Sequence, residues 1–122
     1  MGSRSTYDLQ ERLIAFSVEI IGKTGGLNKS FASEHLMKQL IRSVTSAALN
    51  YGEAQSAESK RDFIHKMKIC LKELRESQVN LQILNRAELI KENEDFKKII
   101  QECNELVAIF TTSIKTVGEG KN

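Results

Sequence analysis

No proline interrupts the 122 residues of this chain. Proline breaks helices and shapes many turns, so its absence permits long helices and argues against a turn-rich β architecture. Enrichment in Glu, Lys, Leu, Gln and Ala points the same way. Apolar residues then recur at helical spacing through four segments. The first predicted helix runs from about Tyr7 to Lys23, with Leu9, Leu13, Phe16 and Ile20 on one face and Gly25-Gly26 ending it. Ser30 caps a second, over residues 31–52, with Glu34 in its first turn, an inner stripe of Leu36, Leu40, Val44, Ala47 and Tyr51, and Gly52 at its fraying end. Ser59 with Asp62 resembles a capping box for a third, about 59–85, which carries Phe63, Met67, Cys70, Leu71, Leu74 and Leu81. Asn93 opens the fourth, about 94–117. There Phe96, Ile99, Ile100, Cys103, Leu106, Val107, Phe110, Ile114 and Val117 form the cleanest apolar stripe in the chain, and the tail from Gly118 is expected to fray.

Four amphipathic helices joined by short connections bury their stripes most simply against antiparallel neighbours. The prediction is an all-α fold, an up-down antiparallel four-helix bundle, forming a single domain over residues 1–122. The longest stretch without a charge, Ser43 to Gly52, is about half of the ~20 residues that a membrane-spanning helix needs. Met1 to Tyr7 lacks the apolar run of a secretory signal, so a cytoplasmic location and no membrane partner are expected. Cys70 and Cys103 are too few for a disulfide framework, and a formal charge of +2 implies no nucleic-acid partner by itself.

One bundle does not use all the apolar surface. Beside its core stripe, the first helix carries Ile14, Val18 and Ile21, so its apolar arc spans roughly 200°, about twice what one core requires. Ile69, Val79 and Ile83 lie away from the main seam of the third helix, and Leu49 points away from the core stripe of the second. Such sets are the mark of a subunit interface, so a homo-oligomer is expected.

Sites for chemistry are thin. Gly22-Lys23-Thr24 matches the end of a phosphate-binding loop, but Ser17 stands where that motif needs glycine, and the preceding segment is helical. Lys23 is better read as a cation at a helix C-terminus. His35, His65, Cys70 and Cys103 lack metal-ligand spacing, and no Glu-x-x-His pair occurs, so core packing is expected and no metal or cofactor. Ser43, Thr45 and Ser46 suit close helix approach, with hydroxyls bonded to the preceding turn. No catalytic residue is assigned, and no enzymatic activity is expected.

The strongest charged feature is on the third helix. Arg61, Lys68, Lys72, Arg75 and Arg86 fall within about 60° of one another, opposite Asp62, Glu73 and Glu76. They make a basic stripe roughly 35 Å long. It can contact phosphates, or it can be a solvated flank stapled by pairs such as Lys72 with Glu76, which are spaced i,i+4. Exposed aromatics look scarce, so base stacking is not expected to be the main binding term.

The run Gln39-Leu40-Ile41-Arg42-Ser43-Val44-Thr45-Ser46, then Asn50-Tyr51-Gly52-Glu53-Ala54, then Ser59 to Ile64, Leu71-Lys72-Glu73-Leu74 and Gln78, resembles the four-helix-bundle family encoded within intervening sequences of bacterial 23S ribosomal RNA genes. The likeness extends over about Leu9 to Val117 and is most specific in the second and third helices. It implies a bacterial protein that assembles as a ring-like homopentamer, with no established catalytic activity. A related branch, the accessory variability proteins of diversity-generating retroelements, uses a basic pentamer surface to engage nucleic acid and a reverse transcriptase. The family pattern also marks Arg42, Ser43, Ser46, Asn50 and Glu53 as a shared polar set, with Arg42 and Glu53 on the outward face of their helix.

The expected function is therefore a non-enzymatic homo-oligomeric bundle. Its basic flank would bind RNA or DNA through the backbone with little sequence readout. The alternative is a protein-interaction scaffold that docks a protein partner and never touches nucleic acid.

Overall fold

The structure is a computed structural model describing residues 9–91 and 93–119. Helix α1 spans Leu9–Gly22, α2 Phe31–Gln55, α3 Lys60–Arg86 and α4 Glu94–Gly118. Each packs on its chain neighbours and α1 also touches α4, giving an antiparallel four-helix bundle. The expected start at Tyr7 lies outside the described residues, as does the tail beyond Glu119. Helix α1 has 14 residues against 25 for α2, 27 for α3 and 25 for α4.

The caps are local and fall where the sequence places them. Ser30 Oγ accepts from Ser33 N at 3.1 Å, while Ser33 Oγ accepts from Ser30 N at 2.9 Å, a reciprocal box built from two serines. Ser59 Oγ accepts from Asp62 N at 3.0 Å, but no bond returns from the Asp62 side chain. Asn93 Oδ1 accepts from Phe96 N at 2.9 Å.

Two ends differ from expectation. A 3-10 turn, Lys23–Gly26, follows α1 directly. Helix α2 continues past Gly52 to Gln55, because Ala54 is buried in the core and Gln55 Nε2 donates to the Tyr51 hydroxyl at 3.3 Å. That burial offsets the cost of an interior glycine, about 1 kcal/mol.

The core joins Leu13, Phe16 and Ile20 of α1 to Leu40, Val44 and Ala47 of α2, Leu74, Leu81 and Leu84 of α3, and Phe96, Ile99, Leu106 and Phe110 of α4. Tyr51 meets Phe110 edge-on, with ring centroids 5.7 Å apart. Cys70 Sγ donates to Ala47 O at 3.4 Å and Cys103 Sγ to Leu74 O at 3.6 Å. Burial pushes both thiols from 9.0 up to about 12. The two thiols thus pack as small apolar groups, whereas His35 and His65 are exposed and take no part in the core.

At one end the α1–α2 and α3–α4 connections are tied together. Leu27 pairs with Ile90 in a single antiparallel bridge, and Asn28 N donates to Leu89 O at 3.1 Å. Asn28 Nδ2 donates to the carbonyl of Glu88, which holds a left-handed backbone with φ 58°.

Candidate nucleic-acid interface

Arg61, Lys68, Lys72, Arg75 and Arg86 are all exposed on the side of α3 turned away from its buried residues. Among the described residues, Arg61, Lys68, Lys72 and Arg75 make no ion pair or side-chain hydrogen bond, and Arg86 Nη2 only donates to Gln82 Oε1 at 3.4 Å. The i,i+4 staple between Lys72 and Glu76 does not form. Glu76 Oε1 is taken instead by Arg42 Nη2 at 3.1 Å and Ser43 Oγ at 3.4 Å, both from α2. Among the described residues the cations of the stripe are thus left without an ion-pair partner, although Glu76 shares their surface.

Lys68, Lys72 and Arg75 line an open concavity of about 850 Å³ together with Leu36, Gln39 and Arg42 of α2 and Val79 and Ile83 of α3. Glu73 lies at the seam behind it, 7% exposed, with Oε1 3.4 Å from Arg42 Nη2 but without hydrogen-bond geometry. Asn80 is buried too; its Nδ2 donates to Leu36 O at 3.1 Å, while its Oδ1 has no hydrogen-bond partner among the described residues.

The polar set of α2 works largely across this seam. Besides Arg42 and Ser43, Glu53 Oε1 accepts from Lys66 Nζ of α3 at 2.6 Å. Asn50 Nδ2 donates back to Ser46 O at 2.9 Å and to Ser46 Oγ at 3.2 Å. Arg42 and Glu53 are exposed, yet both hold α3 of their own chain. Of the three hydroxyls expected to bond backwards, Thr45 does so, its Oγ1 donating to Ile41 O at 2.7 Å. Lys23 is no simple helix-end cation, since it reaches Asp95 of α4 at 3.3 Å.

The apolar residues assigned to one interface divide between two places. Gln10 Nε2 donates to Ala48 O at 3.1 Å and Ser17 Oγ to Val44 O at 3.3 Å, which sets one flank of α1 on α2. Ile14, Val18 and Ile21 continue outward round that flank, and Val18 is 62% exposed. Leu49 of α2 is 69% exposed. Val79 and Ile83, however, stand among the cations of α3, and Ile69 is only half-exposed.

Exposed aromatics are scarce among the described residues, with one exception. Phe31 is 87% exposed and stacks on His35 with ring centroids 6.0 Å apart and planes 7° from parallel. A signal for this existed: Phe31 precedes Leu40 by nine residues, two and a half helical turns, and so lies on the opposite face.

Among the described residues, no three His, Cys, Asp or Glu side chains gather as metal ligands, and no helix is long and apolar enough to cross a membrane. Fold and surface together define a small helical bundle whose distinctive residues face outward. The chain belongs to the 23S rRNA-intervening sequence protein family, which it matches over residues 6–112. It is similar to a solved protein of unknown function from the S23 ribosomal protein family of Bacteroides thetaiotaomicron, with 33% identity and a TM-score of 0.78 over 88% of this chain and 99% of that one. No curated protein matches the chain.

Proposed function

We propose that this protein is a non-enzymatic, cytoplasmic homo-oligomer, a ring-like homopentamer by the family resemblance, that binds RNA or DNA backbone through the outer face of α3. The observation that carries the reading is the row of basic side chains without ion-pair partners among the described residues. A phosphate chain supplies the missing charges, and counterion release drives the contact. The exposed aliphatics of α1, with Leu49 of α2, supply the face that a second copy covers. Val79 and Ile83 stay with the charged surface, so they leave the interface set.

Titration of a generic RNA and a duplex DNA from low to physiological salt tests the reading. Wild type binds both at low salt and weakens steeply as salt rises, and a Lys68→Glu, Lys72→Glu, Arg75→Glu variant of unchanged oligomeric mass loses binding. Absence of low-salt binding, or charge reversal without effect, overturns it. A protein scaffold is the second reading, favoured by Val79 and Ile83 exposed between the cations. It requires a protein partner that is still recovered after nuclease treatment.

A further inference from the structure

We infer that the outer surface shared by α2 and α3 takes a single-stranded polynucleotide, with a base stacked on the Phe31–His35 pair and phosphates on Arg86, Arg75 and Lys72. The inference rests on the nucleic-acid reading above and goes further by naming the strandedness of the ligand.

Three observations carry it. First, the stack is exposed and preformed: Phe31 and His35 lie nearly parallel, 6.0 Å apart. Second, its position along the bundle is fixed. The antiparallel register that joins Leu36 to Asn80 and Arg42 to Glu76 sets His35 level with Gln82 and Phe31 level with Arg86. His35, Gln39 and Arg42 follow one another on a single flank of α2, and Arg42 of that flank reaches α3. The aromatic pair therefore stands at one end of the surface along which the cations run. Third, the cations continue from that end. Arg86, Arg75 and Lys72 extend about 21 Å along the helix axis, a length that suits a strand of several nucleotides.

The chemistry separates single strands from duplex. In a duplex the faces of the bases are already stacked on one another and only phosphates are presented. In a single strand a base is free to lie on an aromatic ring, and any base serves, because every base has a π-face. Phosphate contacts give a salt-dependent term, and stacking adds a term that salt does not screen.

The test uses fluorescence anisotropy with labelled oligo(A) RNA, oligo(dA) and a duplex of equal length, on the full chain. Phe31→Ala is expected to weaken binding of both single strands about tenfold while leaving duplex affinity and the salt slope unchanged. Phe31→Tyr keeps the ring and binds like wild type, whereas Phe31→Leu keeps only the apolar bulk and binds like the alanine variant. Lys72→Gln with Arg75→Gln lowers the log-log salt slope for single strands by about 1.4. Equal affinity of Phe31→Ala and wild type for single strands overturns the inference, as does an equal loss on duplex. A change of oligomeric mass in Phe31→Ala overturns it as well, since Phe31 would then be a protein contact. If wild type binds duplex and single strands but Phe31 is silent, only this inference falls. If wild type binds neither at low salt, the nucleic-acid reading falls with it.

Discussion

Helices α1 and α3 both turn toward solvent a face that their own bundle does not use, and the two faces are opposites. That of α1 is aliphatic, with Ile14, Val18 and Ile21 in a row. That of α3 is cationic, with its neighbouring carboxylates drawn away to the α2 seam by Arg42. A net charge of +2 conceals both, because it averages over a molecule that has sorted its side chains by direction. Each face asks for a different cover, apolar surface for one and anions for the other. Mutations that treat the two faces alike should therefore give unlike results.

The largest effect is expected on α1. Ile14→Glu with Val18→Glu puts two carboxylates on the face proposed for a second copy, and light scattering should show a monomer with circular dichroism unchanged; an intact oligomer would remove α1 from the interface. The parallel change on α3, Val79→Glu with Ile83→Glu, should leave oligomeric mass as it was and weaken nucleic-acid binding several-fold through added negative charge. A monomer from this pair would erase the distinction between the faces.

Smaller effects sharpen the boundary between face and seam. Arg42→Ala leaves buried Glu73 without its cation and should lower urea-measured stability by about 1–2 kcal/mol, a discounted figure because Arg42 is largely exposed. No such loss is expected from Lys72→Ala, which has no partner among the described residues to abandon. The buried thiols give the last test. Folded Cys70 and Cys103 keep their protons to about pH 12, against 9.0 ordinarily. Above pH about 9 the unfolded chain holds fewer protons than the folded one, so stability is full below that pH and falls as pH rises toward 12. Cys103→Ala should flatten part of that alkaline decline in the melting temperature.

What was legible in the chain was what neighbours in sequence decide. Ser30, Ser59 and Asn93 bond to backbone three residues ahead, so their caps could be read without tertiary information. Apolar spacing placed the four core stripes for the same reason. The stripe of α3 was visible on a helical wheel, but its lack of partners was not, since that depends on Glu76 choosing Arg42 from another helix. The continuation of α2 to Gln55 followed from burial of Ala54, which local propensity at Gly52 outvoted in the sequence. The split of Val79 and Ile83 from the α1 set needed the way helices sit side by side. Phe31 lies outside the apolar stripes, and its stacking on His35 depends on side-chain rotamers that residue spacing does not fix.

The attachment of α1 bears on how tightly the molecule is held. Among the described residues its side chains bond to α2 from Gln10 and Ser17 and to α4 from Arg12, which meets Glu102 and Glu105. The helix offering the aliphatic face is thus held on one side by α2 and reaches α4 through Arg12. Amide protons of α1 should exchange through partial opening while α2, α3 and α4 remain closed. Wherever a second subunit rests on that helix, its protection rises with protein concentration, and dilution loosens it before any other part of the fold.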